Sequence, residues 1–272
     1  MRLSQLRESG VCSWHDVLHH PECVPSSVRA SVMQESLRCL TALDDQNIGY
    51  FVERLVPQDR WRILAEFLDR ATFFDIETTG LEWDAGITVI ACWHRGILHT
   101  FVEHENLDEF VELLETVELL VSFNGSAFDV PRVVSAFHLM ELPCPHLDMR
   151  WTCYHRGMSG SLKQIAASLG IDRPADLADV DGALAVHLWQ RWTDREDEVA
   201  RTHLVRYCAA DVLLLVMVAQ YMHGTGACDE LWSKLPDVAG QDDVLERVDS
   251  TWRTLASGAP AAWRGRRVRF AC

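Results

Sequence analysis

The chain has 272 residues, 48% of them hydrophobic and 24% charged, a globular composition that excludes wholesale disorder and leaves room for one large domain with an appendage. The formal net charge is −15, and most of the excess lies in residues 71–223, where 23 acidic side chains face 10 basic ones. This balance argues against a protein that grips nucleic acid through a broad basic face, whereas an acidic centre that holds cations is compatible with it.

Met1 is followed by Arg2, Gln5, Arg7 and Glu8 rather than by an apolar leader, so no secretory signal is expected. Residues 1–70 read as a helical N-terminal extension. Ser26 or Ser27 is placed to cap a helix running to about Leu43, and Pro57 suits the start of another with Trp61, Leu64, Ala65, Phe67 and Leu68 on its apolar side. The pattern then changes to short β-branched and aromatic runs, TFFDI (72–76), ITVIAC (87–92) and ILHTFV (97–102), separated by Gly80, Gly86 and Gly96. An acidic helix over 106–116 precedes an apolar strand at 118–123. After these come a helix at 128–139, a short strand at 146–149, and helices near 161–169, 181–192 and 196–222.

Three consecutive strands followed by alternating strand and helix predict an α/β fold with a mixed sheet. The apolar run 212–219 (VLLLVMVA) is far shorter than the roughly 20 residues of a membrane span, so no membrane partner is expected. Nine cysteines, an odd number without paired spacing, point to free thiols and a cytoplasmic location. The expected division is 1–70 for the extension, 71–223 for the core domain and 224–272 for a C-terminal extension ending in a basic tail.

Three segments carry candidate chemistry. In FFDIETTGL, Asp75 and Glu77 are two apart, so on a strand both carboxylates share one face. Crowded carboxylates repel unless a cation lies between them, which makes metal binding the natural inference. FNGSAFDVP places Asp129 just after a strand, where α/β sheets put their sites, with an Asn124–Gly125 turn and Phe128 beside the acid. In YCAAD, Tyr207 and Asp211 are four apart on one helix face, within an apolar run where an acid needs a partner or a metal. Each segment alone has an ordinary reading: a chance Asp-x-Glu, a turn with a helix N-terminal acid, or a surface acid near a tyrosine. Their order and their four carboxylates together match a metal-dependent phosphoryl-transfer site.

DIETTGL, NGSAFD and YCAAD resemble the three exonuclease motifs of the DEDD (DnaQ-like) superfamily in its tyrosine-bearing DEDDy form, on a ribonuclease-H-like fold. GSLKQIAASLGI (160–171) and WRILAEFLDRATFFDIETTGL (61–81) are similar, more narrowly, to the YprB-type ribonuclease-H-like exonucleases. The resemblance covers roughly residues 61–222. It implies a sheet of three antiparallel strands followed by parallel ones, and a 3′–5′ exonuclease that releases nucleoside 5′-monophosphates from single-stranded ends.

On that resemblance Asp75, Glu77 and Asp211 hold one divalent ion, and Asp75 bridges to a second that Asp129 reaches directly or through water. The ions are Mg²⁺ or Mn²⁺, about 4 Å apart. Tyr207 orients or deprotonates the attacking water, though its ordinary pKa near 10 makes it a poor base alone. Thr78, Leu81, Asn124 and Phe128 seat the terminal nucleotide. The substrate is nucleic acid with a single-stranded 3′ end, DNA slightly favoured over RNA. Two other readings keep the fold: a catalytically silent module that binds nucleic acid or docks a partner, and an endonuclease. The intact set of four acids with Tyr207 speaks against the first, and the lack of a broad basic face speaks against the second.

Weaker signals have ordinary readings. Lys163, after a Ser161 cap, reads as a solvated helix lysine more than as a phosphate contact, and Asp148 as a structural hydrogen-bonding residue. Cys12, His15, His19 and Cys23 have spacing that zinc accepts. Pro21 interrupts any single helix through them, and Trp14, Val17 and Leu18 look like a packing face. Their segment resembles a small helical module with a Gly-led turn, of the kind that rests on a nucleic-acid backbone. Arg264, Arg266, Arg267 and Arg269 form a basic tail, either a phosphate contact or a solvated end.

Overall fold

Residues 71–76 are apolar on both faces apart from Thr72 and Asp75, as a central strand requires. They open β1 (Ala71–Thr78) in a computed structural model that describes residues 3–177, 182–224 and 229–237. β1 pairs antiparallel with β2 (Ile87–His94), which pairs antiparallel with β3 (Ile97–Val102). On its other edge β1 runs parallel to β4 (Leu119–Ser122), and β4 parallel to β5 (His146–Asp148), giving the order β3-β2-β1-β4-β5. The expected mixed sheet is therefore present, and the three leading strands sit where the sequence placed them.

Helices α1 (Leu3–Glu8), α2 (Trp14–His19), α3 (Arg29–Asp44), α4 (Ile48–Arg54) and α5 (Trp61–Phe67) precede the sheet. α6 (Glu109–Leu114) and α7 (Asp129–Ala136) lie in the crossovers on either side of β4, and α8 (Met149–His155), α9 (Leu162–Ser168), α10 (Gly182–Arg195) and α11 (Glu198–His223) follow β5. α3 begins at Arg29 without a side-chain cap, because Ser26 and Ser27 lie inside a turn closed by the Val28 amide donating to the Pro25 carbonyl. Pro57 opens a short 3₁₀ turn over Pro57–Asp59, and α5 starts only at Trp61. α4 and α8 are single-purpose helices of seven residues, capped by Asn47 and Asp148. α4 follows α3 after three residues and α8 follows β5 directly, so neither stands apart in the sequence as a separate element.

The sheet divides the interior. One face carries Phe73, Val89, Ala91 and Val121 against α11, together with Ile165 of α9 and Leu188 of α10. The other carries Phe74, Ile76, Ile90 and Leu120 against Phe110 and Leu114 of α6 and Val133 of α7. At roughly 1.5–3 kcal/mol for each fully buried large apolar side chain, these two layers dominate the stability of the domain. α11 is the central packing element, with sixteen of its residues buried. By length and composition it is long and apolar enough to cross a membrane, with a mean hydropathy of 1.6, yet 83% of that window is buried within the fold. The run 212–219 taken alone hides this, because the relevant length is that of the whole helix. A third small cluster, Val11, Val17 and Val24, packs beneath α3. The basic tail lies outside the described residues.

Candidate active site

Asp75 and Glu77 project from β1 on the same side as Phe73, toward α11, while Phe74 and Ile76 turn into the opposite layer. The shared face expected from their spacing is realised. A register shift between Glu77 and Thr78 bends the strand end where the acids stand, a common device beside functional sites. Oxygens of Asp75 and Glu77 and the sulfur of Cys208 on α11 lie within 4.8 Å of one another, the group among the described residues that could hold a metal ion. Cys12, His15, His19 and Cys23 form no such group: Cys12 is exposed, and the His19 ring bonds the His15 carbonyl instead.

The parallel pairing of β1 with β4 ends at Phe73 and Val121, so farther along that edge the Ile76 amide has no strand partner. It donates to Asp129 Oδ1 at 3.3 Å, which fixes the carboxylate at the start of α7 beside Asp75. The turn feeding α7 is held by Asp148, which accepts from the amides of Asn124 (2.7 Å), Ser126 (3.1 Å) and Arg150 (3.0 Å). Asp148 is thus the structural hydrogen-bonding residue the sequence suggested. Asn124 adopts φ +67°, and a Cβ on Gly125 would lie 2.0 Å from Ser122 Oγ, so only glycine fits there.

Tyr207 and Asp211 face the same acids from α11. Asp211 pairs with Arg173 Nη2 at 3.1 Å and Lys163 Nζ at 3.7 Å. Lys163 also donates to the Tyr207 oxygen at 2.9 Å, and its ammonium sits over the Tyr207 ring. The solvated-lysine reading is therefore wrong: α9 is capped by Ser161 as expected, but its first turn points Lys163 into the site. Arg173, just beyond α9, was not singled out by any local pattern. Nothing in a linear sequence marks an arginine 38 residues before its carboxylate partner.

Electrostatics match the crowding. Burial first, then Asp129 and Glu77, pushes the Asp75 carboxyl far above the usual carboxylate range. Burial and then Asp211 do the same for Glu77. Burial raises Asp129 to about 7, and it raises Asp211 against the opposing pull of Arg173 and Lys163. Tyr207 is driven above its ordinary value by burial and by Asp211, so it stays a neutral phenol. Four crowded acids, Asp129 buried and the other three partly buried, are a donor set of hard oxygens suited to a divalent cation.

The residues expected around the acids are placed as follows. Thr78 is buried, with its hydroxyl donating to the Gly80 carbonyl at 2.6 Å. Leu81 stands 77% exposed in the β1–β2 loop. Arg132 reaches from α7 to the Leu81 and Glu82 carbonyls, both at 3.1 Å, and lies 3.7 Å from the Phe128 ring centre. One arginine thereby ties the β1–β2 loop to Phe128, covering one face of that ring. This is a second contact that sequence spacing does not reveal.

No curated protein sequence matches the chain. Among solved structures it is similar to the family B DNA polymerase from the hyperthermophilic archaeon Pyrobaculum calidifontis, with 13% identity and a TM-score of 0.42, covering 60% of this chain. The match spans 27% of that polymerase. A family model described as the RNase H superfamily matches residues 72–223, more than half of the sequence, and coincides with the sheet and the helices that carry the acids. The chain belongs to the RNase H superfamily.

Proposed function

We propose that the protein is a metal-dependent 3′–5′ exonuclease of the DEDDy class, near the YprB type, that acts on single-stranded nucleic-acid ends and releases nucleoside 5′-monophosphates. The observation that carries this reading is the convergence of Asp75, Glu77, Asp129 and Asp211 from three elements, with Tyr207 one turn before Asp211 on α11 and bonded to Lys163, which also pairs with Asp211. The donor chemistry fits Mg²⁺ or Mn²⁺, with Asp75, Glu77 and Asp211 holding one ion and Asp75 and Asp129 a second. Bound there, divalent ions supply Lewis-acid polarisation of a phosphodiester and activation of water.

The chain's own groups do the rest. Tyr207, kept neutral, orients a water rather than removing its proton. Lys163 fixes the phenol through its 2.9 Å bond and brings positive charge to the scissile phosphate, while Arg173 holds Asp211 in place. Thr78, Leu81, Asn124 and the open face of Phe128 flank the terminal nucleotide. A broad basic surface is unnecessary when only a short end is gripped.

The test is degradation of 5′-labelled single-stranded DNA and RNA of one sequence in Mg²⁺, Mn²⁺ or EDTA, beside Asp75→Ala and Tyr207→Phe. A ladder shortening from the 3′ end, absent in EDTA and in Asp75→Ala, is the expected outcome, with Tyr207→Phe slowed by about 10²-fold or more. Intact polymers under every condition would rule the nuclease out.

A further inference from the structure

Beside the acids a groove of about 540 Å³ runs between α8, the β4–α7 turn and the segment leading into α9. Trp151 and Tyr154 stand on its wall, 53% and 58% exposed and packed edge to face at 6.2 Å. Two exposed rings side by side in a groove form an apolar patch of the kind that marks a binding surface, where a single exposed ring would not. Arg150 lies beside them and donates to the Asn124 side chain at 2.6 Å, and among the described residues that line the groove there is no carboxylate. In a chain of net charge −15, a groove with one arginine, two open rings and no acid is locally suited to a polyanion with flat apolar units.

Two parts of the groove's lining adjoin the candidate active site along the chain. Asn124, in its wall, belongs to the turn that sets Asp129. Ser161 and Leu162, also in the lining, directly precede Lys163, which bonds Tyr207. We infer that this groove is the track for the part of a single strand lying upstream of the cleaved 3′ nucleotide, with Trp151 and Tyr154 stacking successive bases and Arg150 meeting the phosphate between them. The inference rests on the exonuclease reading and adds to it the path of the strand. Stacking on an aromatic platform tolerates any base, so the groove confers grip without sequence preference.

The experiment compares Trp151→Ala, Tyr154→Ala and the double variant on the p-nitrophenyl ester of a nucleoside 5′-monophosphate, which has no upstream base, and on a single strand of about 12 nucleotides. With both rings lost, KM for the long strand should rise about tenfold or more while kcat on the ester stays at the wild-type value. Trp151→Phe should restore most of the affinity. An unchanged KM for the long strand in the double variant overturns the inference, as does a change confined to self-association of the protein. If the wild-type protein cleaves neither substrate, the exonuclease reading is what fails, and anisotropy of a labelled strand in EDTA then decides the groove. Weaker binding by the double variant supports it, and equal binding overturns it.

Discussion

Asp129 illustrates how burial stores free energy at this site. Its folded pKa is raised from 3.8 to about 7, chiefly by burial, so the folded state holds a proton that the unfolded chain gives up. A raised carboxyl contributes stability below its unfolded pKa and loses it as pH rises through the folded value. Asp129 should therefore withdraw on the order of a few kcal/mol of stability from the metal-free protein between about pH 4 and pH 7, and Asp75 and Glu77, pushed up as well, carry the loss to higher pH. Thermal unfolding in EDTA across that window checks this. Asp129→Asn should flatten the profile and raise Tm at pH 8, and a slope as steep as wild type in this variant would show that other groups set it. The acids themselves were legible, because Asp75, Glu77, Asp129, Tyr207 and Asp211 lie in short local motifs. Lys163 and Arg173 were not, since their meaning depends on where α9 and the segment after it pack against α11.

At the scale of elements, the β4–α7 turn is the part on which the site's geometry turns. It is braced by Asp148 from β5 and by the close approach of Gly125 to Ser122. Gly125→Ala forces its Cβ into Ser122 and should cost about 1–3 kcal/mol. Moving Asp129 with the turn, it should also lower nuclease activity more than stability alone explains. Urea midpoints beside initial rates measure both, and a variant with wild-type midpoint and rate would contradict the bracing. Strands β1 to β3 were readable because β-branched runs between glycines have few other uses. α4 and α8 were missed because each abuts the preceding element and depends on a cap and on tertiary contact rather than on a period.

For the whole molecule, the main core does not stop at residue 71. Ala42, Ile48, Phe51, Ile63, Leu64 and Phe67 join the cluster that includes α11, whereas Val11, Val17 and Val24 form their own. Removing residues 1–28 should leave a cooperative transition, and removing 1–70 should abolish it. Circular dichroism melts of the two truncations distinguish these outcomes, and a wild-type melt from the shorter chain would place the domain boundary at 71 after all. The sequence composition could not locate this boundary, because the helices on either side of it are equally apolar. What it did convey was the acidic middle, whose meaning emerges only when β1, α7 and α11 gather the carboxylates at one strand end.

The most direct measurement uses a 3′-labelled single strand incubated with Mn²⁺, with products resolved over the first turnovers. If these carboxylates form an exonuclease site, the label should leave at once as a nucleoside 5′-monophosphate, at the same rate on short and long strands once the enzyme is saturated. Release of the label on internal fragments, or only after the strand has been cut elsewhere, would contradict the account.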